Sequence, residues 1–322
     1  MQKITTSAPG KLMLCGSYAV VHGRPCVVTA VDQRLYVTIE KNGDDQFHLT
    51  APDLGLMGYS KTISELGTKN QPKAVRFIET LYKIFLEKYP QSQGIKVSTK
   101  SEFSSKFGFG SSSAVTVAFA KALAELYEVK LSNKELFDLC YEAVIIVQGV
   151  GSGFDLAAAI WGGTIYYVSP ATVVEKIEID QLPIVVGYTG VKADTPTLVR
   201  MINNKLSKNP AKIEDIFDSI ADISREVVQS ISTKDWEQLG SLFNQHQALM
   251  RQLGVSSPKL EELIEQSSVN GAYGASLSGA GGGDCMLAVV EKNDKDNVIS
   301  AINQSGEVLE VGLNAPGVRI ES

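Results

Sequence analysis

Three short glycine-rich segments, each at the mouth of an apolar run, limit what this chain can fold into. They read KFGFGSSSAVTVAF at 106–119, GVGSGFDLAAAI at 149–160 and SLSGAGGGDCMLAVV at 276–290. Taken singly, each is an ordinary tight turn relieved by glycine. Taken together, they point to one anion site assembled from distant parts of the chain.

The first segment carries the clearest physics. Gly108 and Gly110 let the backbone approach an anion closely. The helix expected after them exposes unpaired N–H groups and the positive end of its dipole. Ser111, Ser112 and Ser113 add hydroxyls that can donate to phosphate, and one of them can meet Mg²⁺. Lys106 stands before the glycines, so the segment is not the phosphate loop GxxxxGK[ST]. The third glycine of GxGxxG is also missing, which excludes the dinucleotide fingerprint.

The second segment brings Asp155 to a helix N-terminus, just after Ser152 and Gly153. It is either a capping carboxylate favoured by the dipole or a base that orients an attacking oxygen. Lys11, in SAPGKLML, is either a solvated lysine at the entry to a strand or a partner of Asp155. In the second role it keeps the carboxylate ionised and offsets charge on a transferred phosphoryl group. In the third segment Ser278, Gly279, Ala280 and Gly281 suggest backbone packed close to a ligand. Asp284, which follows, is either part of that chemistry or a turn residue. Tyr273 and Ser276 lie nearby in the sequence.

The rest of the chain supplies ordinary α+β material. Strands are expected at LMLCGSYAVV, PCVVTAVDQ, LYVTIEK, QFHLTAP and IKVSTKSEF, and helices over 71–89, 113–129 and 132–148. Ser132, with Glu135 three residues on, forms a capping signal for the last of these. From Thr195 the texture is helical, and it returns to strand and helix after Tyr273. A boundary falls near 180–190, giving domains 1–185 and 186–322. The net charge of −6 argues against a broad grip on nucleic acid or an anionic membrane. Four scattered cysteines and three histidines make no zinc site. No apolar stretch reaches membrane-spanning length, and the N-terminal MQKITTSAPGKLMLCG has no signal-like core, so a cytoplasmic protein is expected.

In order and spacing, SAPGKLMLCGSYAVVHGRP, KFGFGSSSAVTVAFAKAL and SLSGAGGGDCMLAV resemble the three motifs of the GHMP small-molecule kinases, over nearly the whole chain. The resemblance implies a two-domain fold, an N-terminal ribosomal-S5-like α/β domain and a C-terminal ferredoxin-like α+β domain. It implies ATP on the second motif, through Lys106, Gly108, Gly110 and Ser111–Ser113, with Ser112 as the Mg²⁺ ligand. It makes Asp155 the base or orienter and Lys11 its partner. The acceptor alcohol would lie in the interdomain cleft, against Lys11, Ser152, Gly153 and 278–281. GSGFDLAAA and Lys106 are similar to the phosphomevalonate kinases of this family. GSYAVV departs from the GEHAVV of mevalonate kinases at Ser17 and Tyr18. Val144 stands where those carry a metal-binding glutamate. Phosphomevalonate is therefore the expected acceptor, with mevalonate as the alternative, for a monomer or homodimer.

Overall fold

The computed structural model describes residues 3–321 except 69, 70, 73, 74 and 92. β1 (Lys3–Cys15) and β2 (Pro25–Lys41) form a long antiparallel pair, joined by a 3₁₀ turn over Ala19–His22. β3 (Gln46–Ala51) and β4 (Leu56–Thr62) form a hairpin. Then come α1 (Arg76–Lys88), β5 (Ile95–Ser101), α2 (Ser111–Leu126), α3 (Asn133–Gln148) and α4 (Phe154–Trp161). β6 (Thr164–Val168) and β7 (Val173–Ile177) complete the first half. The first sheet runs β1-β2-β5-β3-β4, with β6 on β2 and β7 on β6; among the described residues only β3 and β5 pair in parallel.

The chain then enters a second sheet with β8 (Ile184–Tyr188). Four helices follow: α5 (Thr195–Lys208), α6 (Pro210–Thr233), α7 (Trp236–Leu253) and α8 (Pro258–Val269). β9 (Ala272–Leu277), β10 (Cys285–Val290), α9 (Lys295–Ile302) and β11 (Glu307–Leu309) close it in the order β11-β8-β10-β9. All its pairings are antiparallel, and helices interrupt the chain after the first and third strands, which is the ferredoxin-like pattern. The two-domain α+β architecture is the one expected.

Three differences from the sequence reading bear on the site. Lys11 does not stand at a strand entry, because β1 runs straight through Pro9-Gly10. The pairing with β2 shifts there, between Pro9 and Lys11, as a bulge. Bulges bend a strand and re-aim its side chains. PCVVTAVDQ and LYVTIEK are one strand, β2, which continues through Asp32–Arg34. Finally β12 (Arg319–Glu321) returns to pair with β1, so the last residues belong to the first sheet.

α2 is the central element of the first half. It packs on β1 and β2, with α1, α3 and α4 beside it. Ala114, Ala118 and Ala122 are buried along it, small enough for the helix to sit tightly on the strands. That seat fixes where the N-terminus of α2, and so the first glycine segment, must lie.

Candidate active site

The bulge at Pro9-Gly10 turns β1 toward the first glycine segment. The Lys11 amide donates to the Phe109 carbonyl (3.0 Å), and Lys11 Nζ donates to the Gly108 carbonyl (2.8 Å). Nζ also lies 5.3 Å from the centre of the Phe154 ring. Lys11 is half-buried in mid-strand, which sets aside the solvated reading. Burial pushes its ammonium below the ordinary lysine range, while Asp155, Asp284 and Cys285 pull the other way.

Gly108 and Gly110 both adopt left-handed backbone, at φ 73° and 74°. A side chain at Gly108 would collide with Asp284 Oδ2, 2.7 Å from its Cβ. At Gly110 a Cβ would stand 3.0 Å from Lys11 Cε and 3.7 Å from Asp155 Cβ. Lys11, Asp155 and the mouth of α2 therefore meet at one residue. α2 begins at Ser111 with Gly110 as its cap; the Ser113 and Ala114 amides bond back to the Gly110 carbonyl, 3.0 Å each. Ser111 and Ser112 are half-buried at the start of the first turn, where their own N–H groups have no intrahelical acceptor. Ser113 is buried. Lys106 is exposed ahead of the turn.

Asp155 is half-buried in the first turn of α4, with Gly153 as the cap residue. Hydroxyl groups hold the loop that carries it. Tyr141 donates to the Gly151 carbonyl (2.8 Å), Ser169 donates to Ser152 O (2.9 Å), and Tyr167 donates to the same carbonyl. Ser152 thus contributes a buried, twice-occupied carbonyl.

The third segment is tied to the first half of the chain at its start. Ser278 Oγ accepts from the Met13 amide (3.1 Å) and donates to Met13 O (2.9 Å). Its hydroxyl is engaged by β1 and acts as a tie between the sheets. Ala280 O accepts from the Tyr18 hydroxyl. A Cβ at Gly281 would stand 2.3 Å from the Val255 carbonyl, so that turn is packed on protein. Gly279 borders open space. Ser276 turns into the core and bonds His246 Nδ1 (2.8 Å), where burial lowers the histidine to about 4 and keeps it neutral.

Asp284 is the residue whose weight the sequence left open. It lies against Gly108, and its Oδ1 accepts from the Ala193 amide (2.9 Å). Nothing in SGAGGGD alone separates this from a turn residue. Three other cations, Arg24, Arg200 and Lys192, are placed less centrally. Arg24 pairs with Glu214 and Asp218, and Arg200 bonds Thr197 Oγ1 on α5. Lys192 is exposed in the loop after β8, and its charge acts on Asp284.

Among the described residues, no group of three His, Cys, Asp or Glu is gathered for a metal. Val144 is buried and packs on the 149–155 loop, 3.0 Å from where a Gly151 Cβ would stand. The oxygen groups at the mouth of α2, the Ser112 hydroxyl and Asp155 beside Gly110, are of the hard type that Mg²⁺ takes.

A family model for the GHMP kinases N terminal domain matches residues 76–163, and one for GHMP kinases C terminal matches 227–308. A mevalonate kinase of Pyrococcus abyssi (strain GE5 / Orsay) is 33% identical over 331 residues, covering 99% of this chain and 98% of its own. A crystal structure of mevalonate kinase has a TM-score of 0.82 at 23% identity, covering 98% of this chain and 100% of that one. Streptococcus pneumoniae phosphomevalonate kinase, in complex with phosphomevalonate and AMPPNP, has a TM-score of 0.80 at 20% identity, covering 97% and 100%. At those identities the two structures speak for the fold.

Proposed function

The chain belongs to the GHMP kinases, and from that membership we propose that it transfers the γ-phosphoryl group of ATP to a hydroxyl of mevalonate. The observation that carries phosphoryl transfer is the meeting of Lys11 and Asp155 at Gly110, beside the open N-terminus of α2. Mevalonate rests on the relatives: the Pyrococcus abyssi mevalonate kinase aligns along almost the whole chain.

In this reading, the Gly108–Gly110 turn and the first amides of α2 hold the nucleotide phosphates. Asp155 accepts a hydrogen bond from the acceptor hydroxyl and aims its oxygen. Lys11, desolvated and charged, offsets negative charge as it moves from nucleophile to leaving group. The Ser112 hydroxyl would hold a Mg²⁺ ion, which would supply positive charge against the nucleotide phosphates. The cleft between the two sheets holds the acceptor, with Gly279 on its open side.

A second reading keeps phosphomevalonate as acceptor. It is favoured by exposed lysines, Lys106 before the phosphate turn and Lys192 next to Asp284, which could meet an extra phosphate. ADP release with Mg²⁺ and ATP, offering mevalonate and phosphomevalonate separately, decides between them. Turnover of mevalonate alone is expected; turnover of phosphomevalonate alone overturns the acceptor and leaves the site intact. Asp155→Asn is expected to lower kcat by about 10²- to 10⁴-fold. Its affinity for ATP should stay near wild type. Near-normal turnover in that variant would remove Asp155 from the chemistry.

A further inference from the structure

We propose that Asp284 is a positioning residue of the phosphoryl-transfer site: lodged against Gly108, its carboxylate keeps Lys11 on the Gly108 carbonyl. The inference rests on the phosphoryl-transfer reading above.

The geometry puts both groups on one residue. Lys11 Nζ donates to the Gly108 carbonyl at 2.8 Å. Asp284 Oδ2 occupies the space a Gly108 side chain would need, 2.7 Å from the Cβ position. Asp284 is itself strongly held. Its amide donates to Val191 O (2.7 Å), its carbonyl accepts from the Thr189 amide (3.0 Å), and Oδ1 accepts from the Ala193 amide (2.9 Å). Of the two carboxylate oxygens, Oδ1 is spent on the 189–193 loop and Oδ2 faces the phosphate turn.

The backbone sharpens the point. Asp284 has φ 53°, directly after three glycines. A residue needed only to turn the chain would be served better by a fourth glycine. A carboxylate at a phosphate seat also opposes nucleotide binding by its charge. Both costs are accounted for if the charge has a cationic target. The charged and titratable groups facing Asp284 are Lys11 on β1, Lys192 in the loop after β8, and Tyr188 and Cys285 at the adjoining strand ends. Lys192 is exposed, whereas Lys11 is half-buried and faces Asp155 as well. Burial raises the Asp284 carboxyl, and the Ala193 amide, Lys11 and Lys192 counter that rise.

A purely structural role is the rival: Asp284 would only pin the 189–193 loop. Asp284→Asn separates the two. Asparagine tolerates left-handed backbone and keeps an oxygen for the Ala193 amide, so only the charge is lost. Two readouts are taken on the full chain. One is kcat for ADP formation, with the acceptor that wild type turns over or with water. The other is the Kd for ATP in EDTA, by calorimetry.

A positioning role moves the two in opposite directions. The kcat falls by about 10- to 100-fold as Lys11 loses its fixed place. Metal-free ATP binds about three- to tenfold more tightly as repulsion is lifted. Wild-type kcat, or weaker binding of metal-free ATP, overturns the proposal. Asp284→Gly, at home in the same backbone, must show the same pair of changes and serves if the asparagine variant does not fold. Asp155→Asn is assayed alongside: its full activity would fell the phosphoryl-transfer reading, whereas an inactive Asp155→Asn beside a fully active Asp284→Asn fells this inference alone.

Discussion

At Gly110 two constraints fall on one Cα. The backbone is left-handed at φ 74°, and a methyl group there would press on Lys11 Cε at 3.0 Å, with Asp155 Cβ in ordinary contact at 3.7 Å. Gly110→Ala is therefore expected to do two separable things. The backbone strain costs about 1–2 kcal/mol, read as a lower Tm. The clash with Lys11 Cε displaces the ammonium and lowers kcat by about 100-fold. Gly23→Ala provides the comparison, because Gly23 has φ 76° but borders open space. It should share the Tm loss and keep its kcat; equal kcat in both variants would show that Lys11 is not displaced. Lys11 and Asp155 were legible as a pair of suspects because residue type and glycine spacing are local signals. Asp284 was not, since its role depends on Gly108, far away in the sequence.

Elements that fixed the site were read best where their signals are local. α3 is such a case: Ser132 Oγ accepts from the Glu135 amide, and the Glu135 carboxylate accepts from the Ser132 amide, as the sequence suggested. Ser132→Ala is expected to cost about 1 kcal/mol of stability, with kcat unchanged, because the cap lies at the end of α3 remote from the 149–155 loop. Tyr141→Phe, at mid-helix, should lower kcat as well as stability. It frees the Gly151 carbonyl and loosens the loop that carries Asp155, so kcat is expected to fall, with a stability change of about 0.5–1.5 kcal/mol. Thermal melts and ADP release on both variants test the contrast, and equal kcat losses would refute it. Within the helical stretch after Thr195, the sequence does not mark α8 off as a helix of its own, although Ser257 caps it and Pro258 opens it. Its buried face is short, Leu260, Leu263, Ile264 and Ser267, so the periodic signal is weak. β12 has three residues and no local signature; its pairing with β1 defines it.

At the scale of the whole molecule, the two halves share one fabric. Arg34 shows how. The sequence places a break between strands at Arg34, between PCVVTAVDQ and LYVTIEK, yet β2 continues because the buried guanidinium is satisfied from afar. It donates to Ser7 Oγ (2.6 Å), Ser7 O (2.9 Å), Pro316 O (2.8 Å) and Gly317 O (2.8 Å). Those partners lie on β1 and in the segment leading to β12. The same segment makes isolated pairings, Val31 with Leu313 and Gly162 with Pro316. The apolar core also crosses the boundary: Val227, Leu239, Leu242 and Phe243, from α6 and α7, join the cluster built on β1, β2 and α2. A cut at 185/186 would fall inside β8, take the Pro316 and Gly317 acceptors from a buried cation, expose part of the core and free one edge of β1. Breaking part of a buried charge's hydrogen bonding is strongly destabilising, and each buried polar group left unpaired costs about 1–3 kcal/mol. Domain stabilities are themselves only about 5–15 kcal/mol. Residues 1–185 expressed alone are therefore expected to lack a cooperative thermal transition and protected amides. Supplying 186–322 in trans should restore both, together with ADP formation, because the tail then reaches Arg34 and Ser278 reaches Met13. A fragment 1–185 that melts cooperatively by itself would show that the first sheet needs neither the tail nor α6 and α7.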